Sequence, residues 1–103
     1  MLINRLVDKI RTYYKPEKII LFGSHVWGKP KKYSDLDILI IKENNKREIE
    51  RIIEVSKILK PRETAIDIIV KTPKEIKECL KFNDIFISEI LTKGRVLYER
   101  KAD

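Results

Sequence analysis

The chain has no glutamine, and only one cysteine, one methionine, one tryptophan and one histidine in 103 residues. A lone thiol, Cys79, excludes an internal disulfide framework and any cysteine-cluster metal site. It falls within a helical pattern and reads as a packed thiol. Long apolar runs are missing as well. Ile38-Leu39-Ile40-Ile41 falls far short of the roughly 20 residues that span a bilayer. The N-terminal MLINRLVDKI interrupts its apolar pattern with charges and has no signal-peptide core, so no membrane association and a cytoplasmic location are expected. No repeat, linker or low-complexity tract is visible.

Isoleucine, by contrast, occurs eighteen times, and 38% of the residues are charged. The apolar residues recur in periodic blocks, which indicates a packed core rather than disorder. Domains commonly span roughly 100–150 residues, so residues 1–103 are expected to form one domain. Lysine and arginine number 23 against 16 acidic residues, a net charge of +7. That excess favours anionic partners such as nucleotides, nucleic acids or an acidic protein. The lysines are spread along the chain and no nucleic-acid recognition motif occurs, which argues against nucleic acid. Abundant Lys, Glu and Ile with few amides is a bias associated with hyperthermophiles.

Apolar positions at helical spacing predict a helix over 2–14, which Pro16 stops. Lys18-Ile19-Ile20-Leu21-Phe22 is β-branched and apolar, and reads as a buried strand ending at Gly23. Gly23-Ser24 opens a short helical turn with Ser24 as N-cap. Gly28 to Lys32 is a lysine-rich loop. A second strand spans 35–41. Asn44 and Asn45 cap a helix running to Leu59, with Ile49, Ile52, Ile53, Val55 and Leu59 facing the core. A third strand covers 64–70. Thr72-Pro73-Lys74-Glu75 is a capping box with proline at the first helical position. The helical region it opens runs to Leu91 with a break near Phe82-Asn83, Gly94 is its C-cap, and 95–98 is a final strand. The order predicts an α/β fold, one sheet of about four strands flanked by helices.

Three aspartates stand out. Asp35 and Asp37 project from one face of a strand, while Leu36 between them points into the core. Asp67 interrupts the apolar run Ala65-Ile66-Asp67-Ile68-Ile69-Val70. A buried ionised carboxylate is costly unless it is paired or binds a metal. With the third strand beside the second, all three carboxylates converge. A hard cation such as Mg²⁺ takes one or two carboxylates plus substrate phosphates, and two such ions can assist an in-line displacement. The bland alternative pairs these aspartates with lysines or arginines. Gly23-Ser24, after a strand and before a helix, offers free backbone N–H groups for phosphate. Ten residues separate Ser24 from Asp35, enough for a short helix and a returning loop.

Leu21-Phe22-Gly23-Ser24, ten residues, then Asp35-Leu36-Asp37-Ile38-Leu39-Ile40 resembles the signature of the polymerase-β-type nucleotidyltransferases. Length and element order are similar to the minimal nucleotidyltransferase (MNT) branch, and the likeness covers nearly the whole chain. The resemblance implies a mixed sheet of the polymerase-β type. It implies that Gly23 and Ser24, with Lys29 nearby, bind the phosphates of ATP. Asp35 and Asp37 would ligate two Mg²⁺ ions, and Asp67 would share a metal and accept the proton of an attacking hydroxyl. The product would be a nucleotidylated acceptor, with pyrophosphate leaving. MNT proteins often pair with a small helical HEPN toxin and silence it by transferring AMP to a tyrosine, so an antitoxin is implied.

One departure is local. Many members carry Arg-Ala-Arg-Gly after Gly-Ser, whereas this chain has His25-Val26-Trp27-Gly28. Lys29, Lys31 and Lys32 could restore the missing charge. Trp27 reads as a packing residue, with base stacking the alternative; His25 reads as a surface position. Tyr13, Tyr14, Tyr33 and Tyr98 read as core or rim aromatics. No separate acceptor domain is expected, so the acceptor surface comes from a partner or a homodimer. The competing reading is a non-catalytic module that neutralises its partner by occlusion.

Overall fold

Near-continuous apolar runs build the two central strands, Lys18–Phe22 and Leu36–Ile41, which bury both faces. The computed structural model describes residues 2–28, 35–62 and 64–101. Along the chain these form α1 (Leu2–Tyr13), β1 (Lys18–Phe22), α2 (Ser24–Trp27), β2 (Leu36–Ile41), α3 (Glu48–Ile58), β3 (Ile66–Lys71), α4 (Pro73–Lys81), α5 (Ile85–Lys93) and β4 (Arg95–Glu99). The expected loop lysines Lys29, Lys31 and Lys32, and Tyr33, lie outside the described residues.

The four strands form one mixed sheet in the order β3-β2-β1-β4. β1 is antiparallel to both β2 and β4. β2 and β3 are parallel, as a strand-helix-strand crossover through α3 requires. Odd and even residues of β1, β2 and β3 feed separate cores. One unites Ile19, Leu21, Leu36, Ile38, Ile40, Ile66 and Val70 with Leu6 and Ile10 of α1 and Val55 of α3. The other unites Ile20, Phe22, Leu39 and Ile41 with Ile76 of α4 and Ile87 and Ile90 of α5. Cys79 packs against this second core, as expected.

Several local expectations are revised. The helix after β2 starts at Glu48, not at the asparagines, and Arg47 is its N-cap. Asn44 is engaged otherwise: its side chain donates to Lys42 O and accepts from Lys46 N and Arg51 Nε. Ile49 and Ile53 are 56% and 46% exposed rather than core. The face of α3 that turns inward carries Arg51, Val55 and Leu59 at four-residue spacing. Tyr13 projects to solvent while Tyr14 is buried. The break at Phe82-Asn83 is borne out: Asn83 adopts φ 58°, and Asp84 then caps α5 by accepting from Ile87 N.

Among the described residues, Arg51 is the charged side chain that is buried, 6% exposed. Its Nη1 donates to Val70 O at 3.2 Å and to Glu75 Oε1 at 2.7 Å, and its Nε donates to Lys46 O at 2.8 Å. Glu75 in turn accepts from Thr72 N, while Thr72 Oγ1 accepts from Glu75 N. The capping box of α4 is therefore tied to α3 and β3 through one guanidinium.

Candidate active site

The end of β1, the start of β2 and the start of β3 meet on the face of the sheet that carries α4 and α5. Phe22 is registered against Asp37 across the antiparallel pair, and Asp37 against Asp67 across the parallel pair. A hydrogen bond from Leu36 N to Ala65 O, 3.1 Å, sets that second register. Because register partners share a face, Asp37 and Asp67 lie side by side. Asp35, two residues before Asp37, is exposed at the mouth of the same face.

The carboxylates are crowded. Burial pushes the Asp37 carboxyl above its ordinary range, and a hydrogen bond with Asp67 and the charges of Asp67 and Asp35 push it further. The neighbouring His25 acts in the opposite direction. Asp67 itself is exposed, contrary to the buried position its apolar neighbours suggested. β3 is an edge strand, and the helices on this face pack over Leu39 and Ile41 and over Phe22 of β1, leaving Asp67 uncovered.

Gly23 closes the site from the β1 side. It has φ 84° and ψ −153°, a region open in practice only to glycine. A Cβ there would lie 2.2 Å from Asp37 Oδ2. Glycine is thus required twice, for the backbone angle and for the approach of the carboxylate. Gly23, not Ser24, is the N-cap of α2; Ser24 is the first helical residue and is exposed. Lys29 lies outside the described residues.

An aromatic group flanks the carboxylates. The ring of Phe22 meets Trp27 with centroids 6.1 Å apart and the edge of Phe86 at 5.7 Å. Trp27 packs, as its sequence context suggested, and its Nε1–H donates to Lys93 O at 3.1 Å. Phe86 and the electrostatic reach of His25 were not legible in the sequence. Phe86 depends on α5 folding back across β1, which no local pattern announces.

Among the described residues, no group of three His, Cys, Asp or Glu side chains is placed to hold a metal ion. The arrangement fits an open site instead: crowded carboxylates with mutual repulsion, which a divalent cation would relieve and a phosphate would complete.

This fold and motif define a nucleotidyltransferase. The family model "Polymerase beta, Nucleotidyltransferase" matches residues 4–103, and the chain belongs to that family. A protein of Methanocaldococcus jannaschii named "Putative protein adenylyltransferase" is 35% identical over 97 residues, covering 93% of this chain and 90% of the relative. Among solved structures, a "putative nucleotidyltransferase" from Sulfolobus solfataricus superposes with a TM-score of 0.68 at 20% identity, over 96% of this chain and 78% of the other. The toxin-antitoxin complex MntA-HepT includes a chain that superposes with a TM-score of 0.61 at 18% identity, over 94% of this chain and 69% of that one. These neighbours share the mixed four-stranded sheet flanked by helices. No helix among the described residues is long and apolar enough to cross a membrane.

Proposed function

We propose that this chain is a single minimal nucleotidyltransferase domain that transfers AMP from ATP to a hydroxyl of a partner protein and thereby acts as an antitoxin. The observation that carries the reading is the placement of Asp37 beside Asp67 and against Gly23, with Asp35 at the mouth. The name of the M. jannaschii relative supports protein as the acceptor, and the MntA-HepT neighbour supports the toxin-antitoxin setting. A tyrosine of a small helical HEPN protein is the acceptor we favour.

In this reading Gly23 and Ser24 hold the triphosphate through the backbone, with Lys29 adding charge. Asp35, Asp37 and Asp67 hold Mg²⁺, which when bound neutralises the phosphates and the leaving pyrophosphate. The acceptor oxygen bonds to the α-phosphorus. The bond from that phosphorus to the pyrophosphate oxygen breaks, and pyrophosphate leaves with the electron pair. Asp67, exposed at the edge strand, takes the hydroxyl proton. Catalysis here is chiefly positioning and charge stabilisation.

The test uses ATP labelled at the α-phosphate, Mg²⁺ and the candidate partner. Wild type should label a discrete acceptor, while the Asp35→Ala/Asp37→Ala double variant should not. That variant should melt at or above the wild-type temperature, because it removes repulsion among the carboxylates. Labelling that survives the double substitution would sink the reading.

One observation favours a second reading, neutralisation by occlusion. Phe82 and Ile85, at the junction of α4 and α5, are 75% and 77% exposed. Such a surface could hold a partner without chemistry. Neutralisation that persists in the double variant would favour it.

A further inference from the structure

α2 has only four residues, and its internal hydrogen bonds are Val26 N to Gly23 O, Trp27 N to Gly23 O and Gly28 N to Ser24 O. One turn of helix does not hold itself in water, because nucleation costs more than so few bonds return. Its conformation must be imposed by side chains. Val26 supplies one anchor by packing against the core shared with α1 and α3. Trp27 supplies the other, on the opposite side of the sheet, where the carboxylates lie.

The partner of Trp27 is itself fixed. Lys93 is the last residue of α5, so its carbonyl has no partner within the helix. The indole N–H, which can only donate, caps it at 3.1 Å. Gly94 follows at once. A Cβ there would lie 2.4 Å from Ile90 O, 2.6 Å from Ile20 Cγ2 and 3.1 Å from Leu21 O. The end of α5 is therefore seated directly on β1, beside the strand end that leads into Gly23. The Phe22 ring, on that same strand, packs beside the indole with centroids 6.1 Å apart.

We infer that Trp27 is a positioning residue for the nucleotide: it clamps the Gly23–Ser24 turn between β1 and the end of α5, so that the turn is preformed for phosphate. The inference rests on the proposed ATP-binding reading. Trp27 touches no reacting atom in this role. Its loss should weaken ATP binding and raise KM more than it lowers kcat, the signature of binding energy shared by ground and transition states.

The experiment compares wild type, Trp27→Phe, Trp27→Ala and a core control on α3, Val55→Ala. ATP with Mg²⁺ is the probe, read by calorimetry for affinity, with melting temperature measured alongside. One ordinary hydrogen bond corresponds to about two- to tenfold in an equilibrium constant. Trp27→Phe, which keeps a ring but loses the N–H, should weaken ATP binding within that range. Trp27→Ala should weaken it further. Val55→Ala should lower the melting temperature yet leave affinity unchanged. Unaltered affinity in both Trp27 variants would overturn the inference, whatever their stability. Wild type that binds ATP but transfers nothing would overturn the transferase reading alone. Wild type that does not bind ATP would overturn both.

Discussion

At residue scale the decisive position is Gly23. Its ψ of −153° and positive φ fall outside the region other residues occupy without strain, and the neighbouring Asp37 oxygen fills the volume of a Cβ. Gly23→Ala should cost about 1–3 kcal/mol of stability from backbone strain alone. It should also displace Asp37 and abolish transfer. Chemical denaturation and the labelling assay check the two effects separately; a variant with full activity would show that Asp37 has room to move. This residue was legible in the sequence, because a glycine that ends a buried strand and precedes a helix has few other uses. Asp37 was legible because it stands two residues from Asp35 at the start of an apolar strand. The exposure of Asp67 was not. Its neighbours in sequence are apolar, but whether they enclose it depends on the strand's place in the sheet.

At the scale of elements, the capping box of α4 and the guanidinium of Arg51 form one unit. Removing one partner of a buried ion pair costs roughly 3–5 kcal/mol. The side chain of Glu75 is 37% exposed. Because that exposure screens the pair, Arg51→Ala is expected to cost roughly 2–3 kcal/mol in urea unfolding. Glu75 also ties stability to pH. Burial raises its pKa, but hydrogen bonds from Arg51 and the Thr72 backbone, with the charges of Arg51 and Lys71, more than offset that and leave it below 4.5. A depressed carboxylate stabilises the fold above its unfolded pKa, and this contribution is lost as pH falls through the folded value. The melting temperature should therefore drop on acidification below about pH 4.5, and less steeply in Glu75→Gln. Equal slopes would assign the acid response to other carboxylates. The Thr72-x-x-Glu75 signal was readable because a cap is a matter of four consecutive residues. Arg51 was hidden among isoleucines, which are the better guess for a core on hydrophobicity alone. Burial of a guanidinium needs acceptors from β3 and α4 that are distant in sequence.

For the molecule as a whole, the net charge of +7 sets how partners approach. Association with an acidic partner should be steered by that field and slow by about tenfold or more as salt rises from low to high ionic strength. Stopped-flow association across a salt series measures this; a rate indifferent to salt would place recognition in apolar contacts such as the exposed Phe82 and Ile85 instead. The dissociation rate should change far less with salt.

The sequence by itself determined the elements and the motif. Hydrophobic periodicity, proline and glycine positions and the capping box act over a few residues, so they can be read without knowing what packs where. The spacing of Gly23, Ser24, Asp35 and Asp37 is of that kind, and so is the α/β order of the chain. Tertiary structure alone decided the rest. The parallel register sets Asp67 beside Asp37, and the edge position of β3 leaves Asp67 open to water. The end of α5, seated on β1 through Gly94, receives the indole of Trp27. Each of these joins residues about 30 or more positions apart, where local propensity carries no information and only the competition among packings selects the neighbour.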